Sequence, residues 1–429
     1  MMLLLIAVVL LGLLLLGFPM KVPLLSAALA ALLIFFPDVD PAVLVQQMIG
    51  GIKPPALLAV PMFILAADIM TRGQAATRLL DLVAAWIGHL RGGLPITSVV
   101  SCALFGAISG STQATVVAIG GPLRPRLLRA GYPDSFALAL IINASDLALL
   151  IPPSIGMIVY GVVTGTSIGE MFIAGIGPGL LIMVMFCVYC WFASIRMDIP
   201  PLPKADRQAR RLAGRRALLP LGFPLIIIGG IYTGWFSPTE AAAFSVLYAL
   251  LLELCIFREL KLRQIPEIAL STGLVTAVVF VLVGAGAAFS WVIAFADLPN
   301  VLINDVIGLS AASGPVTILL TISAAFFIGC MFVDSIVVIL VLAPIFHPVA
   351  LEAGIDPVLV GIIVTLQVAI GSATPPFGCD IFTAIAIFRR PYLDVIRGTP
   401  PFIAMLLVAA LLLIFVPQIA LWLRDLAFG

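Results

Sequence analysis

This chain has 429 residues, of which 62% are hydrophobic and only 10% charged, and its mean hydropathy is +1.25. Soluble domains carry about 25% charged residues, so the composition excludes a water-soluble protein and makes the lipid bilayer the solvent. A formal charge of +1 with no basic-aromatic patch gives no footing for a nucleic-acid partner.

In chain order, the opening stretch 2–20 lacks the positive leader of a signal peptide and is long enough to span, so it reads as a retained first helix. Apolar stretches at 22–36 and 55–71 follow. The next, 93–122, is long but interrupted by Ser109-Gly110-Ser111-Thr112. Stretch 135–163 carries Pro152-Pro153, which a continuous helix cannot hold, because proline removes a hydrogen bond and clashes with the preceding turn. Spans at 171–195, 218–234, 239–257 and 267–295 come next. Stretch 315–344 is interrupted by Asp334-Ser335, 357–387 by Pro375-Pro376, and 400–417 closes the series. The predicted fold is an all-α integral membrane protein with two inverted-topology repeats. It has about ten full spans, two re-entrant helical hairpins (93–122 and 315–344) and two Pro-Pro-broken helices (135–163 and 357–387). Residues 1–54 form N-terminal scaffold helices, 55–195 the first repeat and 196–217 a basic cytoplasmic linker. Residues 218–264 are further scaffold, 265–398 the second repeat and 399–429 a C-terminal helix.

The repeat rests on register. With no gap allowed, Gly106 falls on Gly329, Pro125 on Pro348, Gly131 on Gly354, and Pro152-Pro153 on Pro375-Pro376, all 223 residues apart. Its inversion rests on charge. Cytoplasmic loops are rich in Lys and Arg, which places the 196–216 loop inside with Arg207, Arg210, Arg211, Arg215 and Arg216. Counting spans outward puts Lys21, Arg72, Arg78, Arg124, Arg126 and Arg129 inside, and Asp38, Glu170, Asp297, Asp305, Glu352 and Asp356 outside. Lys53 alone falls on the wrong side. The loop after the first hairpin therefore carries arginines where its counterpart carries Glu352. Inverted repeats interrupted at matching positions are a carrier architecture, with the binding site at the interruptions.

Four polar segments converge on the predicted midplane: 109–112, Ile151-Pro152-Pro153-Ser154, Val333-Asp334-Ser335, and Thr374-Pro375-Pro376-Phe377-Gly378. Unwound backbone is tolerated in a membrane only where it is buried in protein or faces water and ions. Its carbonyls, with neighbouring hydroxyls, suit a hard cation such as sodium, and helix N-termini at the same breaks suit an anion. Close packing by Ser and Gly is the competing reading for any one of these residues. An acid at the bilayer centre costs about 2.5–3.5 kcal/mol, which marks Asp334 as functional. Asp146 is a possible further ligand, and Asp380 could line the same cavity. Asp68 lies near a span end, and Glu240 in Ser-Pro-Thr-Glu reads as a helix cap. Cys187 and Cys190 form a lone CxxC in an apolar helix and read as packing. No phosphate-binding Gly-Lys loop is present, so an ion gradient or another protein must supply the energy.

The runs FGAISGSTQATVVAIG, AGYPDSFALAL, LIPPSIGMIVYG, SPTEAAAF and AIGSATPPFG resemble the large membrane subunit (M, DctM-type) of TRAP transporters, the tripartite ATP-independent periplasmic transporters of bacteria and archaea. The resemblance covers nearly the whole chain. It implies an elevator-type permease of the bacterial inner membrane, without enzymatic activity, that takes up a dicarboxylate or other organic acid by sodium symport. No cofactor is implied beyond Na⁺ as coupling ion. Its implied partners are a separate small four-helix membrane subunit (Q) and a periplasmic substrate-binding protein (P). By motif position, substrate would contact Ser109, Ser111, Ser154, Asp334 and Thr374. Sodium would be held around Gly110, Thr112, Pro152, Ser154, Ser335, Thr374 and Gly378. The family usually has a small or hydroxyl residue where this chain has Asp146, and often Asn near the position of Gln367. One alternative is a stand-alone sodium/dicarboxylate carrier that needs no binding protein. An intramembrane enzyme would need a catalytic constellation, and His89 and His347, both expected near the surface, do not supply one.

Overall fold

The computed structural model describes residues 1–301, 308 and 314–428, and among these the regular structure is entirely helical. Asp305, assigned above to an outer loop, lies outside the described residues. Among the described residues, seven helices are long and apolar enough to cross a membrane, or up to nine if two bent pairs each count as one span. Shorter apolar helices of 10–17 residues accompany them, the first two of these at the N-terminus over the expected stretches 2–20 and 22–36. The expected first span stops at Leu15 as a 14-residue helix, and Lys21–Phe35 follows with only 15 residues. Gly17 takes a left-handed φ of +82° and Pro19 follows, so the helix cannot continue.

Other boundaries also moved. The basic segment expected as a linker is partly helix: Asp206 caps Arg207–Tyr232, which carries five arginines into a span of 26 residues. The C-terminal segment is two helices, Pro400–Phe415 and Gln418–Phe428, bent by 57°. Glu240 completes a capping box with Ser237 at the start of Pro238–Leu250, as expected.

The two interrupted units share their element boundaries. The first hairpin has arms Gly93–Ser109 and Thr112–Arg129; the second has Pro315–Phe332 and Ser335–Glu352. Both outer arms run past the expected ends at 122 and 344. Pro122 and Pro125 in one, and Pro344 and Pro348 in the other, are accommodated inside the helix. Gly131 and Gly354 turn the chain at φ of +96° and +72°. The first broken helix then runs Asp134–Ser145, Leu147–Leu150 and Ile155–Thr164, bent by 42°; the second runs Pro357–Ser372 and Cys379–Phe388. The Pro152-Pro153 and Pro375-Pro376 bonds are both cis.

A 31-residue helix, Ile265–Phe295, packs against Lys21–Phe35, Ala42–Ile52, Ala59–Arg72 and the outer arm of the second hairpin. Small residues permit the close approach. Gly284 faces the Met48 carbonyl and Gly286 faces Leu340. Ser290 donates to the Leu340 carbonyl at 2.9 Å. This helix forms a wall opposite the hairpin tips.

Candidate functional site

The first tip is held open by its own sequence. Gly110 ends the first arm at φ +60°, and a Cβ there would collide with the Pro153 carbonyl. Ser111 is extended and caps the second arm, accepting from the Ala114 N–H at 3.4 Å. The Thr115 hydroxyl donates to the Ser111 carbonyl at 2.9 Å, and Ser109 Oγ lies 3.1 Å from Thr115 Oγ1. At the second tip, Asp334 takes the capping role and accepts from the Ile336 N–H at 3.0 Å.

Each tip is joined to the Pro-Pro break of its own unit. Ile155 N–H donates to the Gly110 carbonyl at 3.4 Å, and Phe377 N–H donates to the Met331 carbonyl at 3.1 Å. Ser154 is fully buried and caps Met157 at 3.3 Å. Thr374 is buried, donates to the Ile370 carbonyl at 2.6 Å, and its own carbonyl accepts from Gly378 at 3.2 Å.

Behind the tips the two units meet in a buried polar cluster. Thr112 donates to Asp380 Oδ1 at 2.7 Å and Ser372 to Asp380 Oδ2 at 2.8 Å. The same Ser372 hydroxyl is 3.5 Å from Asp146 Oδ1, while Asp146 Oδ2 and the nearby Asn143 Oδ1 are buried without a hydrogen-bond partner. Two carboxyl groups here share two hydroxyl donors, an arrangement short of positive charge. Gln367 donates to Ser323 and stands apart from this cluster.

In front of the tips lies a cavity of about 640 Å³. One wall carries Ser109, Ser111, Gln113 and Asp334; the other carries Lys21, Asp68 and the apolar face Val275 to Leu282. Of the expected substrate contacts, Ser109, Ser111 and Asp334 reach this cavity, whereas Ser154 and Thr374 sit behind it. Asp380, expected to line the same cavity, is instead fully buried in the cluster. The expected sodium positions Gly110, Pro152 and Gly378 are the backbone breaks themselves. Thr112 points to Asp380, and Ser335 is the half-buried first residue of its helix. His347 is not at the surface as expected but buried, with Nδ1 2.9 Å from the Tyr160 hydroxyl.

Lys21, in sequence a cytoplasmic-side charge, and Asp68, in sequence an acid near a span end, meet the tips across this cavity. Asp68 accepts from Thr272 at 2.8 Å, and this pairing across the wall is invisible in either segment alone. The available signal was a lysine set between two apolar stretches with no acid beside it in sequence.

The profile of the family described as the tripartite ATP-independent periplasmic transporter, DctM component, matches residues 7–419. The ectoine/5-hydroxyectoine TRAP transporter large permease protein of Ruegeria pomeroyi is 64% identical over 418 residues, 97% of each chain. The ectoine TRAP transporter large permease protein of Halomonas elongata gives the same identity and coverage. The sialic acid TRAP transporter large permease protein of Vibrio cholerae is 35% identical over 98% of this chain and 97% of its own. The crystal structure of the Alcanivorax borkumensis YdaH transporter superposes with a TM-score of 0.58 at 18% identity, covering 89% of this chain and 87% of that one, a likeness of fold.

Proposed function

From the premise that the chain belongs to the DctM family of TRAP transporter large permeases, and so is a multi-pass inner-membrane transport protein, we propose that it carries ectoine-type solutes into the cell by sodium symport. The observation that carries the substrate class is the mixed charge of the cavity. Lys21, Asp68 and Asp334 line one chamber. Ectoine is a compact zwitterion, with a carboxylate on a ring that holds a cationic amidinium. A dicarboxylate would bring two negative charges to a chamber that already holds two acids and one lysine. The 64% identity to two relatives named for ectoine supports the same reading. The expected organic acid is thereby narrowed to one that carries its own positive charge.

The mechanism rests on the two-walled cavity. Ser109, Ser111 and Asp334 belong to the interrupted units, and Lys21 and Asp68 to the packed helices opposite. In an elevator movement the interrupted units travel with the ligand and the opposite helices stay. Lys21 and the Arg72 end of Ala59–Arg72 fall on the cytoplasmic side by charge count, so this chamber is the inward-facing one. The matched boundaries of the two units support inverted repeats, whose exchange of conformation would give the outward-facing state. Sodium would bind at the tips and breaks, where Gly110, Thr112, Ser154, Ser335 and Thr374 bring carbonyls and hydroxyls together. A small membrane subunit and a periplasmic binding protein complete the system, the latter delivering substrate at high local concentration.

The test is uptake of labelled ectoine by proteoliposomes holding both membrane subunits, with and without binding protein and a sodium gradient. Uptake requiring both the binding protein and the gradient is expected. Uptake of a dicarboxylate in preference to ectoine would overturn the substrate, and uptake without the binding protein would favour the stand-alone carrier.

A further inference from the structure

Lys21 stands out among the cavity residues because no acid among the described residues pairs with it. Among the residues that line the chamber it is the sole cation, and its ammonium makes no ion pair or hydrogen bond among the described residues. Neither acid of the chamber forms an ion pair with it: Asp68 accepts from Thr272 at 2.8 Å and Asp334 from the Ile336 N–H at 3.0 Å. The position adds to the effect. Lys21 is the first residue of the 15-residue helix Lys21–Phe35, whose N-terminus has no side-chain cap and no acid in its first turn. A helix N-terminus carries about half a positive charge and ordinarily attracts an acidic residue. Here a lysine adds to the positive end instead. Lys21 is exposed at the rim of the chamber, where its ammonium is free to meet an anionic group that enters, and a charge-assisted hydrogen bond there is stronger than a neutral one.

The opposite wall has the reverse character. Asp334 keeps acceptor capacity after bonding Ile336, since a carboxylate has about four lone-pair sites. Its side chain is exposed to the cavity. A planar amidinium with two parallel N–H donors matches a carboxylate as a fork matches a fork. We infer that Lys21 is the residue that recognises the carboxylate of the zwitterionic ligand, while Asp334 on the facing wall takes its amidinium. This rests on the ectoine reading above and adds which residue discriminates a carboxylate-bearing ring from a ring without one. Because the two contacts come from different walls, Lys21 holds the ligand in the state described here and would lose it when the walls separate.

The experiment is equilibrium binding to the purified complex of both membrane subunits in nanodiscs, without binding protein. Two ligands are compared: ectoine, and the same cyclic amidine lacking the carboxylate. In the unaltered protein ectoine should bind about tenfold to a hundredfold more tightly, the range a charge-assisted hydrogen bond supplies. Lys21→Met should weaken ectoine by that factor and leave the decarboxylated ring unchanged, so that the discrimination collapses. Lys21→Arg should retain it. Equal weakening of both ligands in Lys21→Met would show a structural role and overturn the assignment, as would unchanged discrimination. Failure of the unaltered transporter to bind or take up ectoine would instead overturn the substrate reading, independently of Lys21.

Discussion

Thr112 and Asp380 are joined by a 2.7 Å hydrogen bond although 268 residues separate them. The bond ties the tip of one interrupted unit to the broken helix of the other, at a point where both side chains are buried. Leaving a buried acceptor unpaired costs about 1–3 kcal/mol, more for a charged group. Thr112→Val, which keeps the shape and removes the donor, should lower the thermal unfolding midpoint of the purified protein and reduce uptake. Thr112→Ser should restore both. A Thr112→Val protein as stable and active as the original would show that the contact contributes nothing.

Asp334→Asn should abolish or severely reduce uptake while the protein still inserts and purifies normally, because the amide keeps the capping contact with Ile336 but loses the charge. Asp334→Glu should rescue only in part, the longer side chain shifting the carboxylate by about one methylene. Ser111→Ala should be milder, since the backbone carbonyl bonded by Thr115 remains. Uptake rates against substrate and sodium concentration decide the order. Near-normal kinetics in Asp334→Asn would make the acid structural.

Symport of a zwitterion with sodium should move net positive charge inward even at one ion per cycle. Each charge contributes about 2.3 kcal/mol per 100 mV. An inside-negative potassium diffusion potential should therefore accelerate ectoine uptake, and collapsing it should slow uptake. A rate indifferent to both the potential and the sodium gradient would refute the coupling.

The two outer hairpin arms should end on opposite sides of the membrane. Arg126 is partly exposed near the end of one, where it pairs with Asp81 at 3.1 Å, and Glu352 ends the other. In a cysteine-free background, a cysteine at Arg126 should be shielded from an impermeant thiol reagent in spheroplasts, and one at Glu352 should react. Labelling of both, or of neither, would remove the inverted-repeat argument.

Much of the site was legible because its chemistry is local in sequence. Gly110 needs a left-handed backbone, Ser111 and Asp334 are helix caps, and a proline pair stops a helix when it falls past the first turn. Those features placed both tips and both breaks. What was not legible depends on juxtaposition. The Asp146–Ser372–Asp380 cluster assembles from segments more than 200 residues apart, and Asp146 and Asp380 each look like a lone acid in an apolar run. Lys21 looked like a cytoplasmic-side charge and Asp68 like a span end because hydropathy reports depth in a membrane and carries no information about which wall a side chain faces. Helix lengths failed where a single residue decided them. Gly17 and Pro19 shorten the first helix, whereas Pro122 and Pro125 fail to end theirs.

In the elevator movement proposed above, the chamber's two walls have opposite duties, and this has a pharmacological consequence. A molecule small enough to rest against Asp334 and Ser111 alone would be carried like cargo. One that also reached Lys21 and Asp68 through a rigid spacer would staple the travelling wall to the standing one. Such a compound would arrest the transporter from the cytoplasmic side, and ectoine added outside would not compete it away. The chemistry proposed to select the solute is thus also the chemistry an inhibitor would exploit, with the length of the spacer deciding between substrate and wedge.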